Sequence, residues 1–365
     1  MSPTISGRFF TEWEVHVCGF VTRSARAPVL DFRWPQDEYE TTAPHSLIVR
    51  EENIVKQRTN VFAFFLLAAI GAACQCAQAA NLSVNCEKHE SISKALRLLA
   101  KTNPQGPNKI TVSGDCNENL VVQSMDRLTL ITGNGASITD SSSGSSAVVD
   151  IEDSHSVSLQ GFTLNGGNEG VNCGSASVCY LTSNTIQDGV GNGVFLSGGS
   201  HAFLESNVIQ NNGGRGSTVS GGSQMFSSND VFQGNAAPGV DVGGSYFQAS
   251  NSNFLNNAVG LRVGLSTVQL RGGTISGNLG DGMTLLGSAS VAFFGPTITG
   301  NGANGVHLED GAFAGFVAAN VTGNLSGLDV DCEPQLPITR FVDRTGGITN
   351  CVESAANTAS RQTTK

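Results

Sequence analysis

The sequence predicts an all-β solenoid of about ten coils, each with three short strands, carrying a capping helix at its N-terminal end. Three observations predict it. A unit of roughly 23 residues recurs between about residues 160 and 331. Within each unit apolar residues alternate with a period of two, as strands require. Gly, Asn and Ser separate the alternating stretches at nearly fixed places.

The unit reads Gly-apolar-x-apolar, a short apolar strand, then Asn-x-apolar-x-x-Asn. Its apolar centres are Leu164, Ile186, Ile209, Phe232, Leu255, Ile275, Ile298 and Val321, and neighbours differ by 22, 23, 23, 23, 20, 23 and 23 residues. A glycine marks each unit, from Gly170-Val171 through Gly239-Val240 to Gly327-Leu328. One such unit cannot bury its apolar face alone, so successive units must stack. Stacking equivalent strands in parallel sets coils about 4.8 Å apart. Asn212, Asn235, Asn278, Asn301 and Asn324 follow their centres by the same offset, and stacked side-chain amides can hydrogen-bond along the coil axis. At Leu255 the asparagines come one position early, which predicts a tightened turn there. The abundant glycines, 45 in all, read as turn residues.

Taken in chain order, residues 1–54 carry no repeat and read as a non-native or disordered leader. Residues 55–80 read as a secretory signal peptide. Lys56 and Arg58 precede an apolar run at 61–73, too short to span a bilayer, and Ala77-Gln78-Ala79 supplies the small-residue cleavage site. The competing readings are a buried helix or a lipoprotein signal at Cys74. Residues 81–352 form the solenoid with its caps, and 353–365 read as a disordered Ser/Thr/Ala-rich tail. Within the solenoid, 91–100 is an amphipathic helix, and Lys109–Val112 and Asn119–Val122 are first-coil strands.

The repeat, the helix and these first strands resemble the right-handed parallel β-helix proteins of the pectate lyase-like superfamily, over roughly residues 86 to 331. The resemblance implies contact with polysaccharide along one sheet, and the signal segment implies a secreted, periplasmic or cell-surface protein. Lyases, hydrolases, epimerases and non-catalytic surface proteins share this fold, so the fold alone does not select an activity. Motifs of the enzymatic members are not found: the paired aspartates and His-Gly of the polygalacturonase-like group, the Asp-Pro-His-Glu of the epimerase-like group, and an assignable calcium-and-arginine constellation.

Composition bounds partners and compartment. A net charge of −10 and no basic cluster in the repeats exclude a nucleic-acid partner. Nine cysteines lose Cys18, Cys74 and Cys76 with the leader and signal, leaving six, an even number suited to an oxidising compartment. Six cysteines permit fifteen pairings. Proximity along the chain favours Cys86–Cys116, Cys173–Cys179 and Cys332–Cys351, and no Cys-x-x-Cys pair in this part suggests a metal instead.

Alternation after each repeat glycine turns a line of side chains outward: Asn172, Phe195, Thr218, Asp241, Arg262, Thr284, His307 and Asp329. A second line holds Ser197, Ser220, Gly243, Gly264, Leu286, Glu309 and Asp331. Asn172, Phe195, Thr218 and Thr284 are the carbohydrate-facing candidates. Asp241, Arg262, His307, Glu309, Asp329 and Asp331 are the candidates for acid–base work on a glycosidic bond, or for calcium in the case of the carboxylates. The structural alternatives are a surface ion pair for Asp241–Arg262 and a solvated acidic edge for the last coils. Asp150, Glu152, Asp153 and His155 read as turn residues ahead of a strand at Val157. No resident cofactor is expected. The function is polysaccharide contact with lyase or glycosidase activity as one option, or a non-catalytic surface or adhesion scaffold as the other.

Overall fold

The computed structural model describes residues 79–333, 340–342 and 347–351, the middle segment by its backbone alone. The leader at 1–54, nearly all of the signal segment and the tail at 353–365 lie outside the described residues. The chain winds through three parallel sheets, one of twelve strands and two of ten. Each coil contributes one strand to each sheet, as in His201–Glu205 (first sheet), Val208–Gln210 (second) and Ser217–Val219 (third). Every pairing is parallel and joins equivalent strands of adjacent coils, for example Ile186 to Ile209 to Phe232. Such connections return to a sheet with one preferred hand, the right-handed one.

The core is a stack of equivalent apolar residues. Phe232 and Phe254 are both buried and lie face to face with centroids 5.2 Å apart, and Phe293 and Phe316 do so at 4.4 Å. Polar ladders hold the turns. Asn212, Asn235, Asn257, Asn278, Asn301 and Asn324 form an unbroken run, each Nδ2 donating to the Oδ1 of the next. A serine run does the same for another turn, the backbone N–H of Ser154, Ser177 and Ser200 each donating to the next hydroxyl. These bonds satisfy buried polar groups that the interior could not otherwise tolerate.

Helix α1 (Ile92–Thr102) buries Ile92, Leu96 and Leu99 against the first coils. Ser91 caps it, accepting from Lys94 N–H, and Glu118 accepts from the Ser91 hydroxyl and the amides of Ile92 and Ser93. The Cys86–Cys116, Cys173–Cys179 and Cys332–Cys351 disulfides are all formed. Disulfides persist in oxidising, extracytoplasmic compartments.

The structure corrects the sequence reading in four places. A strand at Ala80–Asn85 opens the first sheet ahead of α1 and lengthens the solenoid. The centre of the irregular unit is Phe254, not Leu255, so Asn257 keeps the ladder offset and the ladder does not break. The marker glycines ahead of the third-sheet strands are not turn residues, whereas the recurring Gly198, Gly221 and Gly244 are, each with a left-handed φ. At Gly260 φ lies outside the left-handed region, and an added Cβ would meet the carbonyl oxygen of Gly282 at 2.3 Å. Close approach between coils, rather than a turn, demands glycine there. Finally, Asp150 and Glu152 lie within a third-sheet strand, Val149–Glu152, rather than in a turn.

Candidate functional site on the third sheet

Strand register fixes the outward line of the third sheet. It runs Val121, Asp150, Asn172, Phe195, Thr218, Asp241, Arg262, Thr284, His307, Asp331. Residues on either side of each, such as Val240 and Val242, are buried, so alternation delivers these side chains to the surface. The line from Asn172 to His307 is the one the sequence predicts. Its end is not. Asp331, not Asp329, stands beside His307. Asp329 takes the place of a repeat glycine and is buried, its Oδ1 accepting from Asn324 Nδ2 at 2.9 Å and its Oδ2 from Ile348 N–H at 2.8 Å. It terminates the asparagine ladder and is no part of a surface patch.

Three polar clusters occupy the line. In the first, Asn172 Nδ2 donates to Asp150 Oδ1 at 2.7 Å and to Glu152 Oε1 at 3.0 Å. Ser175 Oγ donates to the other Glu152 oxygen.

In the second cluster Asp241 Oδ2 lies 2.7 Å from Arg215 Nε and 3.7 Å from Arg262 Nη1. The Arg215 N–H does not point along its contact, so this is an ion pair rather than a directed hydrogen bond. Arg215, absent from the sequence candidates, enters from the turn before its strand, where alternation gives no orientation.

In the third cluster His307 Nε2 lies 2.8 Å from Glu309 Oε1 and Nδ1 lies 2.8 Å from Asp331 Oδ2. Asn304 Nδ2 also approaches Nδ1, at 3.2 Å, and Asn350 Nδ2 donates to Asp331 Oδ1. Both ring nitrogens face carboxylates.

The second and third clusters are three coils apart, about 14 Å along the sheet. That exceeds the spacing of about 5–9.5 Å at which two carboxyl groups share a glycosidic bond. Among the described residues, one cysteine–carboxylate grouping comes within ligating distance, Cys86, Cys116 and Glu118, and its sulfurs are already joined as a disulfide.

A groove of about 460 Å³ opens beside Asp241 and Arg262. Thr218, Ser220, Leu265, Leu286 and Asp310 line it, and Gly243, Gly244 and Gly264 form its floor. It lies where the turn from the third sheet to the first is shortened. Val242 to Tyr246 and Val263 to Thr267 are each one residue shorter than the equivalent Val219 to Gln224 and Leu285 to Ser290. A Cβ added at Gly243 or Gly264 would meet nothing within 4 Å, and neither has a positive φ. The fold does not require glycine at these two positions.

The family described as the right-handed β-helix region matches residues 169–325. The fold is a right-handed parallel β-helix. Solved structures agree: a pectate lyase superposes on this β-helix with a TM-score of 0.53 at 12% identity, over 68% of this chain and 78% of that one. The A-module of a mannuronan C-5 epimerase from Azotobacter vinelandii matches at a TM-score of 0.45 and 13% identity, over 70% of this chain and 95% of that one. An alginate lyase from Paenibacillus sp. matches at 0.39 and 14%, over 68% and 99%. No curated protein sequence matches the chain. At such identities the likeness extends to the β-helix and not to its chemistry. Among the described residues no helix is long and apolar enough to cross a membrane.

Proposed function

We propose that this β-helix is exported and binds polysaccharide in the groove beside Asp241 and Arg262. The observation that carries the reading is the pair of groove-floor glycines. Gly243 and Gly264 answer no backbone or packing need, yet any side chain there would rise into the groove. Their smallness serves whatever occupies the space. The lining suits a sugar, with Leu265 and Leu286 for its C–H surface and Thr218, Ser220, Asp241 and Arg262 for its hydroxyls. The polysaccharide-active enzymes with the same fold support that ligand class. Export is supported by the three disulfides and by the signal-like segment before Ala80.

Binding is favoured over turnover. Asp241 is held between two arginines, and His307 has both nitrogens engaged by carboxylates. Neither is placed as a free acid or base.

Affinity electrophoresis of the full chain through uronate-containing polysaccharides tests the reading. Retardation is expected with wild type and not with Gly264→Leu, whose melting temperature should be unchanged. Equal retardation of both proteins, or of neither, would overturn it. Product formation lost in Asp241→Ala, Arg262→Ala or His307→Ala would instead establish an enzyme.

A further inference from the structure

The first sheet carries a second feature, independent of the third-sheet groove. Tyr180, Phe203 and Phe226 occupy one outward position on three consecutive coils. Their ring centroids are 5.0 and 5.2 Å apart and their planes nearly parallel. Tyr246, one coil further, meets Phe226 at a tilt of 52°. This spacing exceeds the thickness of an aromatic ring, so the rings are offset like shingles and part of each face stays uncovered. Tyr180 and Phe203 remain 38% and 37% exposed.

A polar column runs beside the rings: Thr182, Glu205, Ser228 and Ser250. Rings and column border one cleft of about 270 Å³. Stacking between strands explains part of the arrangement, since aromatic pairs stabilise neighbouring strands. It does not explain why rings this size stay open to solvent beside an unbroken line of hydrogen-bonding groups.

We infer that this cleft is a second glycan-binding site, for an extended chain of neutral pyranoses lying along the coil axis. The C–H faces of such sugars pack on aromatic surface while their edges present hydroxyls to Thr, Ser and Gln. The repeat of the rings is close to the advance per sugar in an extended, equatorially linked chain, so consecutive sugars meet consecutive coils. Charge selects against a uronate: the cleft lining includes Glu205 and no Lys or Arg to pair with a carboxylate.

Affinity electrophoresis of the full chain through soluble neutral β-1,4-glucan, xylan and mannan, with polyuronate as comparison, tests this. Phe203→Leu keeps the apolar bulk but removes the central ring. It is expected to weaken binding to a neutral polymer about tenfold, with Tyr180→Ala acting in the same direction. Binding to no neutral polymer would overturn the inference. So would neutral binding that Phe203→Leu leaves unchanged, a loss confined to polyuronate, or wild-type self-association in light scattering that Phe203→Leu abolishes.

Discussion

Asn235 and Asn257 are joined twice across one coil spacing: the Asn235 amide N–H donates to Asn257 Oδ1 at 3.0 Å, and its side-chain Nδ2 donates to the same oxygen at 2.9 Å. Asn257 in turn donates to the carbonyl of Phe232 and to Asn278. One buried side chain therefore satisfies groups on the coils either side of its own.

Asn257→Ala is expected to cost about 2–4 kcal/mol, because it leaves two buried donors on Asn235, the backbone N–H and one Nδ2 hydrogen, without a partner. Its neighbour Asn256 is exposed and holds a left-handed φ of 54°. Asn256→Ala should cost about 1 kcal/mol, from that conformation alone. Urea denaturation of the two variants measures the contrast.

Asp230 continues a third ladder, in which Asn184 Nδ2 donates to Asn207 Oδ1; its Oδ1 accepts from Asn207 N–H and Nδ2 and its Oδ2 from Ser227 Oγ and Ser228 N–H. Burial pushes its carboxyl above the ordinary value of 3.8, and the hydrogen bonds only partly offset this. A carboxyl raised on folding contributes stability that is present below 3.8 and is lost as pH rises through its folded value. Asp230→Asn removes that dependence. The melting temperature of Asp230→Asn relative to wild type should rise as pH is taken from acid to neutral. A difference independent of pH would contradict the assignment.

Glu118 behaves in the opposite sense. Burial alone would raise its carboxyl, but hydrogen bonds from Ser93, Ile92 and Ser91 hold it below its ordinary 4.5. Its contribution is therefore present above 4.5 and is lost as pH falls through the lowered value. Glu118→Ala should cost about 1–2 kcal/mol at neutral pH, the weight of a helix cap with a favourable charge at the N-terminus of α1. Thermal melts at decreasing pH should show the gap to wild type closing.

Much of this was legible because alternation and period are strong signals. From Asn172 to His307 the outward line follows directly from counting after each repeat glycine. The count fails where a glycine misleads or is missing. Gly327 imitates the marker, but the register puts Asp329 at that position, which moved Asp329 outward in the sequence reading. Val148 stands where later coils have glycine, so the strand bearing Asp150 and Glu152 carried no marker. Arg215 belongs to a turn, whose side-chain directions depend on closing geometry rather than period. The first-sheet rings recur with the coil step, but stacking and exposure depend on packing that no spacing specifies.

The two kinds of third-sheet glycine give the sharpest test of that distinction. At Gly260 a methyl group would meet the Gly282 carbonyl oxygen at 2.3 Å, Ile275 Cγ2 at 2.5 Å and Asn278 Nδ2 at 3.0 Å. Backbone cannot retreat from such a contact without opening the coil spacing. Gly260→Ala is therefore expected to destabilise by about 3 kcal/mol, at the upper end for overpacking. Gly264, four residues later, ends the strand Leu261–Gly264, and a methyl group there meets nothing within 4 Å. Gly264→Ala should be neutral or stabilise by about 0.5 kcal/mol, because alanine loses less chain entropy on folding. Equal destabilisation of both variants in equilibrium unfolding would mean that Gly264 too is required by the fold, and the groove floor would lose its functional reading.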